Sequence, residues 1–236
     1  MEVELFSQCL EVLSLDEEVL PVVIVHGLGD SPKMPWWGFL RKYIWQERPD
    51  AEIHSIDLSS EFEIPFEEEI VKVPGTAIGS IRDYAAELGK FIEDLDSDVR
   101  IIAHSLGGLV SRWYIEMLGG EDHVRNLVTL ATPHQGTYIA YMGLISAAAR
   151  EMLPSSDILY ALNSSPLPDS VDYTAVWSGS DHAFVQNWRA KLPENLVVLN
   201  PNARNVYAGE FEHLELVYNR KVFECYREYL FSDQRI

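Results

Sequence analysis

Three residues of the chain stand in an order suited to acyl transfer: Ser105 in "IIAHSLGGLV", Asp181 in "VWSGSDHAF" and His213 in "GEFEHLELVYNRKVF". A serine hydroxyl is a weak nucleophile until a base takes its proton, and that base needs a carboxylate to fix its tautomer. Ser105 has the surroundings such a role requires. The apolar run "VRIIAH" precedes it and apolar positions at helical spacing follow it, so a strand passes into a helix at the serine. A turn that sharp pushes the side chain out of the sheet and crowds the backbone, which calls for small neighbours. Ala103, Gly107 and Gly108 supply them, with Ala103 standing where the G-x-S-x-G pattern has its first glycine. The competing reading is a serine that merely caps the helix N-terminus.

Where a serine sits at such a turn of an open parallel sheet, the acid and then the base follow it along the chain. Seven histidines compete for the second role. His26 and His54 precede the serine, His104 adjoins it with its side chain facing away, and His123 falls at the opposite edge of the sheet. His134, in "ATPHQGT", comes too early to be the base, and His182 neighbours the acid. His213, in a loop just before the last helix, is where the base belongs. Asp181 lies just past the carboxyl end of the strand "YTAVWSGS"; Asp172, which borders the same strand, is its rival, while Asp157 and Asp169 lie in less regular sequence.

Acyl transfer also needs donors for the developing oxyanion, normally two backbone amides. One should belong to Leu106, the residue after the serine, and the other to Leu28 in "HGLGDS", where glycines on both sides let the backbone fold close to a substrate. Candidates for an acyl pocket are Trp36 and Trp37 in "MPWWGFL", together with His134 and Tyr138, set against the ordinary reading of aromatic residues as core.

These residues need a scaffold, and the chain reads as one α/β domain over 1–236 with a mostly parallel sheet flanked by helices. "LPVVIVHG", "AEIHSID", "VRIIAH", "VRNLVTLAT", "YTAVWSGS" and "ENLVVLN" read as strands. Between them, Ile78, Ile81, Ala85, Leu88, Ile92 and Leu95 recur at helical spacing, as do Leu106, Leu109, Val110, Trp113, Tyr114, Met117 and Leu118. "LELVYNRKVFECYREYL" is a closing amphipathic helix. Residues of roughly 137–170 follow a middle strand, where they form either a small cap or core-packing helix.

The formal charge of −19 makes nucleic acid and anionic lipid headgroups poor partners. The acidic run "EFEIPFEEEI" reads as a solvated loop in preference to a substrate-facing patch. Cys9 and Cys225 match no metal spacing and read as free buried thiols. No stretch approaches the roughly 20 apolar residues of a membrane-spanning helix. The acidic N-terminus, with no basic start, is unlike a signal peptide, so the expected location is cytoplasmic.

Taken together, "HGLGD", "AHSLGGLVSRWY", "TLATPHQGT", "SGSD" and "EHLEL" resemble the α/β-hydrolases, specifically the small lipase and carboxylesterase branch, over about residues 20–231. Alanine in place of the first glycine occurs in small bacterial lipases of this group. The resemblance implies hydrolysis of small-molecule acyl esters through an acyl-enzyme, with no metal or cofactor. "HGLGDS" and "HQG" are also similar to palmitoyl-protein thioesterases, which usually carry a glutamine where this chain has Leu106. Ester hydrolysis therefore ranks first, acyl-thioester hydrolysis second, and a ligand-binding scaffold without turnover third.

Overall fold

The computed structural model describes residues 19–58, 62–66, 69–73, 79–138, 146–185, 188–191, 199 and 203–232. At its centre six parallel strands form one sheet: β1 (Val22–Val25), β2 (Ile53–Ile56), β5 (Val99–His104), β6 (Val124–Leu130), β7 (Asp172–Trp177) and β10 (Arg204–Tyr207), in the order β10-β7-β6-β5-β1-β2. The central strands are short, β-branched and buried on both faces, as strands covered by helices on each side must be. Their alternation divides the core in two. Val23, Val25, Ile101 and Ala103 face helices α2 (Ile81–Glu93) and α3 (Leu106–Met117), joined by α4 (Ala147–Glu151) and α5 (Asp157–Ser164). Val22, Ile24, Ile102, Val128 and Val176 face α1 (Pro35–Glu47), α6 (Glu215–Tyr218) and α7 (Arg220–Leu230).

Parallel pairing sets the functional geometry. All six strands point the same way, so the residues just after β1, β5 and β7 come to one edge of the sheet, where ligands of open α/β sheets bind. Helix α2 begins with a reciprocal cap between Ser80 and Asp83 and buries Ile81, Ala85, Leu88 and Ile92, the stripe expected from its spacing; Ile78 lies outside the described residues.

The structure departs from the sequence reading in four places. The acidic run is not a loop in its described part: Phe62–Phe66 (β3) pairs antiparallel with Glu69–Val73 (β4). A second hairpin, His182–Val185 (β8) with Trp188–Lys191 (β9), follows the acid candidate. The strand at the β7 edge of the main sheet is Arg204–Tyr207, whereas most of "ENLVVLN" lies outside the described residues. The closing helix is two helices, because Asn219 leaves the helical conformation and its side chain caps the Lys221 N–H. From Ser146 onward the segment buries Ala148, Ala149, Met152, Ile158, Leu159 and Leu162 in the core, and residues 139–145 lie outside the described residues. Cys225 is half-buried and free, and Cys9 lies outside the described residues. Among the described residues, no helix is long and apolar enough to cross a membrane.

Candidate active site

Ser105 occupies the turn between β5 and α3 with φ 53° and ψ −120°. A left-handed backbone at a residue other than glycine costs about 1–3 kcal/mol and persists only where the surroundings enforce it. Here they do. The Ser105 N–H donates to the Leu130 carbonyl (2.9 Å), the Gly108 N–H donates back to the Ser105 carbonyl (3.1 Å), and the preceding strand is fully buried. The helix start also lies hard against β1. A Cβ on Gly107 would stand 2.6 Å from the carbonyl oxygens of both Val25 and His26, so no larger residue fits without moving backbone. The next strand end repeats the device: Ala131, after β6, has φ 52° and donates its N–H to the Val176 carbonyl.

Asp181 and His213 meet across 32 residues of chain. The His213 Nδ1–H donates to Asp181 Oδ1 at 2.8 Å, because a carboxylate only accepts, and this leaves Nε2 as the basic nitrogen. Asp181 is completely buried, and its Oδ2 has no hydrogen-bond partner among the described residues. Ser178 stitches the two loops together. Its hydroxyl donates to the Phe211 carbonyl (2.6 Å) and accepts the N–H of Phe211 (2.7 Å), while the Gly179 N–H donates to the Gly209 carbonyl. The rival Asp172 opens β7 and so sits at the opposite edge of the sheet from Ser105.

His104, the residue before Ser105, lies against His213. Although it faces away from Ser105, it is not idle: its Nε2–H donates to the His213 carbonyl (3.2 Å), and the two rings lie 4.5 Å apart, tilted by 52°. Burial, together with the nearby His213 imidazole, holds the His104 imidazole well below its ordinary value, so it stays neutral. Sequence reasoning missed this contact, and it missed Ser178. Both are made by loops distant in the chain, and strand alternation alone could place His104 only on the far face.

Leu28 lies in the turn Gly27–Asp30, closed by the Asp30 N–H donating to the Gly27 carbonyl (3.3 Å). Gly29, at the third position with φ 70°, is where such a turn needs a residue free to adopt a positive φ. The turn packs against the serine: a Cβ on Gly27 would come within 3.1 Å of the Ser105 Cβ. His26 ties the turn to the end of β2, accepting the Leu58 N–H on Nε2 (2.9 Å). Leu106 opens α3, so its N–H is among those a helix leaves without an internal acceptor.

The residues suggested for an acyl pocket separate. Trp37 is completely buried with its Nε1–H on Asp30 Oδ2 (3.1 Å), and Trp36, half-buried, donates to the same oxygen (3.2 Å). His134 is also completely buried, between the Thr129 hydroxyl (2.9 Å) and the Arg112 guanidinium (3.5 Å); burial, with Arg112 adding to it, holds its imidazole well below the ordinary value. Trp37 and His134 thus brace the strand ends from within and offer a ligand no surface, which corrects their assignment to a pocket. Tyr138, 67% exposed, stands at the surface. Arg112 itself is buried, bidentate to Glu116 (2.7 and 3.1 Å), and reaches Asn163 and the Leu162 carbonyl, so it ties α3 to α5. Among the described residues, no group of three His, Cys, Asp or Glu is arranged to hold a metal ion.

A parallel sheet carrying a strained serine between strand and helix, with an acid–histidine pair at the same edge, is the architecture of an α/β-hydrolase. Solved structures agree on the fold. The mature lipase BlEst2 of Bacillus licheniformis superposes with a TM-score of 0.70 at 16% identity, over 91% of this chain and 93% of that one. Aspergillus fumigatus lipase B gives 0.67 at 14% identity over 93% of this chain, which spans 54% of that longer one. An α/β-hydrolase enzyme from a sediment metagenome of the Mar Chica lagoon, Morocco, gives 0.59 at 15% identity over 90% of each chain. Within that fold the chain belongs to the palmitoyl protein thioesterase family, whose model matches residues 21–188.

Proposed function

We propose that the chain is a serine hydrolase that cleaves carboxylic esters of short to medium acyl chain length through an acyl-enzyme intermediate. The observation that carries this reading is the forced left-handed turn at Ser105 at the same sheet edge as the buried Asp181–His213 pair. In the proposed reaction the Ser105 hydroxyl attacks the acyl carbonyl as His213 Nε2 takes its proton, with Asp181 stabilising the imidazolium. The Leu28 and Leu106 N–H groups donate to the oxyanion. The tetrahedral intermediate collapses as His213 returns the proton to the leaving alkoxide, which departs as the alcohol. Water then attacks the acyl-serine with His213 again as base, releasing the carboxylic acid and restoring Ser105. Support for short to medium chains comes from helices α4 and α5, whose Ala148, Ala149, Ile158, Leu159 and Leu162 are packed into the core.

Family membership favours a second reading, hydrolysis of acyl thioesters, in which the same residues act and a thiol departs. Two measurements separate the readings and test their common core. Ser105→Ala lowers kcat for nitrophenyl esters by at least about a thousandfold while the thermal transition is retained; a variant as active as the parent refutes both. Matched oxygen esters and thioesters from two to sixteen carbons then rank the leaving group and chain length. A kcat/KM peaking on oxygen esters of up to about ten carbons fits the first reading. A preference of tenfold or more for long-chain thioesters establishes the second.

A further inference from the structure

The reading above uses Ser105, His213, Asp181 and two backbone amides, yet a second imidazole is built into the same assembly. His104 is 2% exposed and is filled in from two sides. The Trp37 indole meets it edge-on with ring centroids 6.3 Å apart, and the His213 ring lies at 4.5 Å on the other side. Trp37 cannot drift, because its Nε1–H is fixed on Asp30, whose other oxygen accepts the Ser31 N–H (2.7 Å). A continuous run of contacts therefore leads from the Leu28 turn through Asp30, Trp37 and His104 to His213 and Asp181. The contact between His104 and His213 has a direction. A carbonyl accepts only, so the proton sits on His104 Nε2; its Nδ1, buried without a hydrogen-bond partner among the described residues, is the bare nitrogen.

We propose that His104 is a positioning residue for the base: its Nε2–H holds the His213 main chain and its ring supports the His213 ring, so that Nδ1 of His213 stays on Asp181 and Nε2 is presented for proton transfer. The inference rests on the hydrolase reading of Ser105 and His213. A base on a loop has few other restraints on its ring, and a displacement of about 1 Å at a reacting group costs on the order of a hundredfold in rate. Burial keeps His104 neutral, so it donates this hydrogen bond without competing for the proton.

The test compares two replacements of His104 using a nitrophenyl ester of short chain length. His104→Gln places an amide N–H where Nε2–H stood; His104→Phe keeps a ring of similar size and removes the donor. His104→Gln is expected within about threefold of the parent in kcat. His104→Phe is expected to lose about 10- to 100-fold in kcat with KM changed less than twofold, at a thermal midpoint close to that of the glutamine variant. The downfield proton resonance of the His213–Asp181 hydrogen bond should persist in His104→Gln and broaden or vanish in His104→Phe. If His104→Phe does not fold, His104→Met, which fills the slot without a donor, is read in the same way. The proposal is overturned if the donor-free variant keeps the parental kcat, if both variants lose kcat equally, or if the loss lies in KM. A fully active Ser105→Ala would instead refute the hydrolase reading beneath it, so the two failures are distinct.

Discussion

The Ser105 turn and the Asp181–His213 pair of the candidate site are held in place by different physics. Around Ser105 the restraint is steric: a buried strand, a helix whose first turn touches the β1 carbonyls, and a backbone forced to φ 53°. Asp181 and His213 stand on loops that follow β7 and β10, and their restraint is a set of directed hydrogen bonds from Ser178, Gly179 and His104. Close packing fixes a position through many small contacts and tolerates little change of volume. Hydrogen bonds fix an orientation through a few groups and can be removed without creating a clash. On the proposed reading, the first arrangement suits an attacking atom that must be in one place, and the second suits a ring that accepts and releases protons.

Asp181→Asn breaks the acid–base side at its centre. The amide can occupy the same space but presents the wrong donor pattern to His213, and kcat is expected to fall about 10⁴-fold with the fold retained. A loss below tenfold in an ester assay would mean that Asp181 has no orienting role. Gly107→Ala and Ser178→Ala then set the two regions against each other. The alanine at 107 forces the start of α3 away from β1, costing about 3 kcal/mol in urea unfolding, and activity falls with the folded fraction. Ser178→Ala removes the loop stitch, costs about 1–2 kcal/mol, and lowers kcat more than it lowers stability. Equal ratios of kcat loss to stability loss in the two variants would erase the distinction.

The difference between the two regions also explains what could be read from the chain. The elbow was legible because everything that makes it is local: "VRIIAH" is a strand, Gly107 and Gly108 follow, and the helical apolar spacing begins at once. Ser105, Asp181 and His213 were singled out by order and position, and the structure joins the last two at 2.8 Å and brings His213 against the residue preceding the first. What joins them was not legible. His104 and Ser178 act on His213 and Phe211 across 109 and 33 residues of chain, separations with no periodic signal. "RNVY" is too short and too polar to announce a sheet strand; its side chains alternate only between half-buried and exposed. The apolar spacing of the closing segment runs through Asn219 without interruption, so only the cap geometry reveals two helices. Trp37 reads from the sequence as pocket or as core, because aromatic side chains near a glycine turn serve either purpose, and its complete burial on Asp30 makes it a brace.

The smallest expected effect concerns the interior beneath the site. His134 is held neutral in the fold, whereas the unfolded chain takes up a proton near pH 6.5. The unfolded state therefore binds more protons as pH falls, so this contribution to stability is full above pH 6.5 and declines below it. Between pH 6.5 and 5.5, urea unfolding of the parent should lose about 1 kcal/mol more than that of His134→Gln. Parallel curves would show that the buried imidazole does not resist protonation.

Labelling with a fluorophosphonate probe reads the central claim most directly, because only a serine activated by its base reacts rapidly. Intact-mass and peptide mapping should find one label per chain, on Ser105, with Ser105→Ala unlabelled and His213→Ala labelled at least about a hundredfold more slowly. An ester-hydrolysing chain that takes no label, or takes it at another residue, would contradict the account.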